Sequence, residues 1–188
     1  MQMTFSRIFL LVLATALSGC VPNTYYSITD EYVVGLRWHD RGNYETASKY
    51  WDPLVEKGDC DAEYMTGLLY LVGKGKPQDH AKVFALWRKA ANGNQQRAQW
   101  ALGDMYYQNR GVTYHACANC GIERDLVAAL TWYRLFEKSA KYDGEKKYVA
   151  YILPKILAEM TPEQIEKSSV LVANWEPTPK DCGARNLW

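Results

Sequence analysis

AEYMTGLLYLVGKG (residues 62–75) and AQWALGDMYYQNRG (residues 98–111) are one pattern written twice at an offset of 36 residues. Ala62 corresponds to Ala98, Tyr64 to Trp100, Gly67 to Gly103 and Tyr70 to Tyr106. The small and apolar positions recur at helical spacing, so each copy reads as one helix with a buried stripe. A second helix follows each of them. VFALWRKAA from Val83 and AALTWYRLF from Ala128 align at an offset of 46, pairing Val83 with Ala129 and Trp87 with Tyr133. The same second helix occurs earlier in GNYETASKYWDPLVEKG, where Ala47 and Trp51 stand 36 residues before Val83 and Trp87. Its first helix is DEYVVGLRWHD, with Tyr32, Gly35 and Trp38 on the stripe. From stripe glycine to stripe small residue the count is 12, 16 and 26 in the three units, so only the loop inside the unit changes length.

Helix pairs repeated in series bury a continuous core only by stacking on one another. The expected fold is all-α, a short α-solenoid of about four stacked helix hairpins. The motifs A-x-x-x-x-G-x-x-Y, then G-x-G, then Asp followed by Ala and an aromatic pair, resemble Sel1-like repeats, relatives of the tetratricopeptide fold. The resemblance covers roughly residues 30–175, with the repeats proper over 30–160. It departs at Asn109, which replaces the first loop glycine, although asparagine tolerates the left-handed backbone such a turn needs. It departs further in the first unit, whose short loop is closer to a plain tetratricopeptide turn. Pro53 in that unit is expected to kink or shorten its helix.

After Lys141, Tyr148, Tyr151 and Ile152 fall at helical spacing. MTPEQIEKSSVLVANW then carries a strong helix start, with Thr161 as N-cap, Pro162 at the first helical position and Gln164 closing a capping box. This pair reads as a terminal capping hairpin whose last helix spans 161–175 and is followed by a tail over 176–188.

The chain opens MQMTFSRIFLLVLATALSGC: Arg7, an apolar run from Ile8 to Leu17, then small residues up to Cys20. The run is about half of what a membrane-spanning helix needs, so it reads as a secretory leader over 1–19. Leu17-Ser18-Gly19-Cys20 resembles the lipobox of bacterial lipoproteins. That resemblance implies acylation of Cys20, a tether over 20–29, and attachment to the membrane through more than one acyl chain. Val21, where an aspartate would signal retention, implies an outer-membrane lipoprotein facing the periplasm.

Of 188 residues, 22 are Lys or Arg and 21 Asp or Glu; without Arg7 of the leader the signs balance. Nucleic-acid binding needs a basic face to neutralise phosphates, and no long basic run exists here.

YHACANCGIERD, residues 114–125, lies in the third unit's loop, which carries an insertion of ten residues relative to the second unit. With Cys20 acylated, Cys60, Cys117, Cys120 and Cys182 remain, an even number in an oxidising compartment. Loops within hairpins lie at one edge of such a stack and turns between hairpins at the other. Cys60 therefore stands roughly 15–20 Å from the insert, too far for a disulfide. The preferred pairing is Cys117 with Cys120 and Cys60 with Cys182, the second stapling the tail across the array. The competing pairing joins Cys182 to the insert and leaves Cys60 a buried thiol. A zinc site of His115, Cys117 and Cys120 is the alternative, but structural zinc wants a fourth ligand.

No G-x-S-x-G, H-E-x-x-H or P-loop spacing occurs, and no two of the three histidines share a segment. No catalytic residue and no cofactor are assigned. The resemblance implies a membrane-tethered adaptor that binds other envelope proteins, with Gln99, Asp104 and Tyr107 on the first helices as candidate contacts. The alternative is a periplasmic redox or hydrolytic enzyme using the cysteine insert, or a zinc-stabilised binding module.

Overall fold

The structure is a computed structural model that describes residues 30–108 and 122–178. Eight helices follow one another among these residues: α1 Glu31–Asp40, α2 Tyr44–Glu56, α3 Cys60–Val72, α4 His80–Asn92, α5 Gln96–Gln108, α6 Leu126–Ser139, α7 Asp143–Leu157 and α8 Pro162–Ala173. The pairs α1–α2, α3–α4 and α5–α6 are hairpins, and each stacks on the next through α2–α3 and α4–α5 contacts. The architecture is the all-helical solenoid that the repeats require.

The glycine of each first helix and the aromatic residue of each second helix form the joint of the hairpin. Trp51 Nε1 donates to Tyr32 O and Trp87 Nε1 to Tyr64 O, both at 3.1 Å and both buried. Each accepting carbonyl lies three residues before the stripe glycine. A Cβ on Gly35 would stand 2.3 Å from Trp51 Nε1, and one on Gly67 would stand 2.3 Å from Trp87 Nε1. The glycine is required because the indole occupies the space of its side chain. In the third hairpin Tyr133 takes the place of tryptophan, and a Cβ on Gly103 would stand 3.0 Å from its ring.

Each hairpin is clamped at its loop end by the same hydrogen bond. The N-cap amide of the second helix donates to the first helix three residues past the stripe glycine: Asn43 to Trp38 O (2.9 Å), Asp79 to Tyr70 O (3.1 Å) and Asp125 to Tyr106 O (3.0 Å). The side chains of Asn43, Asp79 and Asp125 then cap their helices by accepting from the third amide beyond. A loop of any length can be pinched off above this clamp. Lengthening a closed loop is entropically cheap, about 0.6 kcal/mol per doubling, which is why the third unit tolerates its insertion.

The turns between hairpins repeat as well. Gly58 and Asn94, at an offset of 36, both adopt positive φ, and Asp59 and Gln95 behind them cap α3 and α5. Pro53 does not shorten its helix, since α2 continues to Glu56.

One continuous core runs from Tyr32 to Met105 through the stacked hairpins, and a second forms around Leu130, Tyr133, Ile152 and Ile156; Trp100 touches both. The last two helices differ from the expected capping hairpin. α7 and α8 each pack on α6 and touch one another little. Thr131 Oγ1 meets the fully buried Ser168 Oγ at 3.1 Å, and Arg134 donates to Ser169 Oγ at 2.7 Å, which binds α8 to α6. The capping box of α8 is present, with Thr161 and Gln164 exchanging hydrogen bonds. The buried stripe of α7 is Val149, Ile152 and Ile156, whereas Tyr151, which also falls in the helical spacing, is 60% exposed. Position 151 lies 100° from 152 around the helix and so turns off the packed side. Beyond α8 the chain returns toward the second hairpin, where the Thr178 amide donates to Asn92 O at 2.9 Å.

Candidate interaction surface

The three contact residues expected from the sequence separate in the structure. Gln99 is fully buried, its side-chain amide turned toward Asn94 Oδ1 (3.1 Å) and Ala91 O (3.4 Å). Asp104 is 2% exposed. Both are internal, and their assignment to a contact surface is corrected. An inner helix of a stack is enclosed by its own hairpin partner and by the neighbouring units, so a polar residue on it need not face water.

Asp104 sits one residue past Gly103, where the first two hairpins have Leu36 and Leu68. Its Oδ1 accepts from Tyr133 Oη in a short contact and from Tyr148 Oη at 2.6 Å. Tyr133 stands where those hairpins have tryptophan. The two departures compensate each other: a shortened aromatic side chain ending in a hydroxyl meets a carboxylate. Burial pushes the Asp104 carboxyl above its usual value, against the opposing pull of the two tyrosine hydroxyls. Burial and the neighbouring Asp104 also raise Tyr133, and they push Tyr148 up to about 12. Trp100 closes the network between Phe136 (5.9 Å) and Tyr148 (5.2 Å).

Tyr107 does reach the surface. Its hydroxyl donates to Glu159 Oε1 at 2.9 Å, Arg124 pairs with Glu159 Oε2 at 2.6 Å, and the Arg124 guanidinium lies 5.2 Å over the Tyr107 ring. The bonds from Arg124 and Tyr107 hold the Glu159 carboxyl below its usual value. This cluster is one of several at the edge that carries the loops within hairpins. There Arg41 lies over Trp38 (5.4 Å), Lys74 over Tyr44 (5.2 Å), Lys76 and Lys82 over Tyr70 (5.4 and 5.0 Å), and Arg88 over Phe84 (5.5 Å). Cation–ring pairs thus occur along the loop edge of all three hairpins.

Clefts open on the same edge. One of 680 Å³ is walled by Phe84, Tyr106, Ile122 and Leu126, with Arg124 and Gln164 among its polar members. Another, of 580 Å³, lies between the first two hairpins and brings together His39 and His80, which are far apart in sequence. Among the described residues no group of His, Cys, Asp and Glu has the arrangement to hold a metal ion. Cys60 is fully buried at the start of α3. Cys20, Cys117, Cys120, Cys182 and His115 lie outside the described residues, as does Asn109.

The array matches a solved structure. A protective antigen present in uropathogenic Escherichia coli strains, displaying an SLR fold, superposes with a TM-score of 0.62 and 22% identity over 77% of this chain. The chain has a Sel1-like repeat fold. The match covers 29% of the antigen, so this Sel1-like array corresponds to less than a third of that larger chain. The sequence matches no family model and no curated protein at significance.

Sequence reasoning missed Asp104 as an internal group, although a signal was present: Leu68 becomes Asp104 at the repeat offset, and Trp87 becomes Tyr133 at theirs. The loop-edge pairs left no such signal, because Lys74 reaches Tyr44 across two hairpins and only the folded loops bring them together.

Proposed function

We propose that this Sel1-like array is a membrane-tethered adaptor of the bacterial outer membrane, facing the periplasm and binding other envelope proteins through its loop edge. The observation that carries the reading is the row of cation-capped aromatic rings along that edge, beside a cleft with apolar walls. Such a surface suits a polypeptide segment that places an apolar side chain in the cleft and carboxylates against Arg88, Arg124 and Lys82. Aromatic and arginine side chains around an apolar pocket are the composition of interface hot spots. Stacked helix hairpins commonly serve polypeptide recognition.

The tether rests on the lipobox-like Leu17-Ser18-Gly19-Cys20. In cells supplied with labelled fatty acid, the full chain should take up label and fractionate with the outer membrane, and Cys20→Ala should do neither. Charge reversal at Arg88 and Arg124, both exposed, should lower recovery of partners by roughly tenfold or more, while reversal at the exposed Glu166 of α8 leaves it unchanged. Equal recovery from all variants would remove the loop edge as the binding face.

A further inference from the structure

The edge opposite the loops carries a second surface, and the chain itself supplies what fits it. Eight consecutive residues of α3, Cys60 to Gly67, are buried, including Asp61 at 9%, Glu63 at 1% and Thr66 at 2% exposure. At 100° per residue such a run passes every face of the helix, so the hairpin partner, the neighbouring units and whatever covers the turn edge enclose it together. In α1, by contrast, Glu31 and Arg37 are exposed.

The start of α3 adjoins the turn between α4 and α5, because Gln95 Nε2 donates to Asp61 Oδ1 at 3.2 Å. The carbonyl of Asn92, at the head of the same turn, receives the Thr178 amide at 2.9 Å. The C-terminal part of the chain is therefore already seated beside the residue that follows Cys60. Cys182 lies four residues beyond Thr178, and four extended residues span about 13–14 Å. Cys60 is fully buried and disulfide-bonded, which corrects the alternative in which it stays a buried thiol. The loop that holds Cys117 and Cys120 in the sequence follows Gln108, the far end of a helix of 13 residues about 20 Å long. Charge also fits: Asp59, Asp61 and Glu63 stand at the start of α3, and residues 179–188 carry Lys180 and Arg185 against Asp181.

We propose that the turn edge of α3, α4 and α5 is a docking surface whose occupant is the chain's own segment 179–188, fastened by a Cys60–Cys182 disulfide. The bond forms by exchange with a disulfide oxidant. The two thiols give up two protons and two electrons, the protein S–S bond forms, and the oxidant's S–S bond becomes a dithiol. A dithiol reductant reverses the step and frees the segment. The proposal goes beyond the adaptor reading and does not depend on the tether.

The test is non-reducing peptide mapping of the full chain combined with amide hydrogen exchange. Mapping should give a peptide joining Cys60 to Cys182, retained in a Cys117→Ser/Cys120→Ser variant. In Cys182→Ser, exchange over 59–67 and 93–98 should accelerate by roughly tenfold or more, while α6 is unchanged. Thr178→Pro removes the amide that bonds Asn92 and keeps the cysteines, so it should accelerate the same segments by a smaller factor. Cys182 found bonded to Cys117 or Cys120 would overturn the proposal. So would unchanged exchange in both variants, which would assign the edge to a different occupant.

Discussion

Replacing Gly67 by alanine puts the central packing joint to a direct test. The new Cβ would stand 2.3 Å from Trp87 Nε1 and 2.6 Å from Cδ1, well inside van der Waals contact. The clash is with a fully buried indole, so α3 and α4 must move apart or the ring must leave its place. Overpacking of this kind costs about 1–3 kcal/mol. Displacing the ring also breaks its N–H bond to Tyr64 O in a buried setting, for about 1–3 kcal/mol more. Alanine returns about 1 kcal/mol through its better helix propensity. The net loss is about 3 kcal/mol, or a fall in Tm of roughly 6–12 °C for a chain of this size. Gly144, in the first turn of α7, is the control: nothing lies within 4 Å of its Cβ position, so Gly144→Ala should be neutral or stabilise by up to about 1 kcal/mol. Gly103→Ala should fall between them, since its Cβ would meet the Tyr133 ring at 3.0 Å. Urea unfolding followed by tryptophan fluorescence orders the three. A Gly67→Ala protein as stable as wild type, or a change of the same sign at Gly67 and Gly144, would refute the joint.

Asp104→Leu and Tyr133→Trp should each destabilise alone, yet together restore the pairing of the first two hairpins. A double-mutant cycle in urea should show a coupling of about 1–2 kcal/mol, and simple additivity would contradict the compensation. Because burial raises the Asp104 carboxyl above the 3.8 of an exposed aspartate, its contribution is fully present below that value and fades as pH rises through the folded one. Wild type should therefore gain stability relative to Asp104→Asn as pH is lowered from about 7 to about 4, and a gap that instead widens with rising pH would count against the raised carboxyl. Glu159 has the opposite sign: its lowered pKa means the contribution of the Arg124 pair is lost as pH falls, which Glu159→Gln should flatten in the same titration. Deleting residues 112–121 should shift Tm by no more than about 3 °C, because the clamp from Asp125 to Tyr106 closes the hairpin beneath the loop. Loss of the cooperative transition would show that the insert belongs to the fold.

The fold was legible because its joint repeats. Gly35 with Trp51 and Gly67 with Trp87 recur in register, and spacing on either side of a variable loop identifies both helices of a hairpin. Legibility failed where a residue's surroundings come from a third element. Gln99 and Asp104 are polar, which by itself points to the surface, but Gln99 is held by the preceding turn and Asp104 by α6 and α7. The final helices showed the same limit: helical spacing and the capping box located α7 and α8, but not that both dock on α6. Of the candidate surface, only Tyr107 was readable in advance. Its partner Glu159 follows it by 52 residues, a separation that no local periodicity encodes.

The adaptor reading is tested most directly by photo-crosslinking in cells, with the reactive residue placed at Tyr107 on the loop edge or at exposed Tyr50 on α2. Discrete polypeptide adducts are expected from position 107 and few or none from position 50. Adducts equally strong from both positions, or absent from position 107, would contradict it.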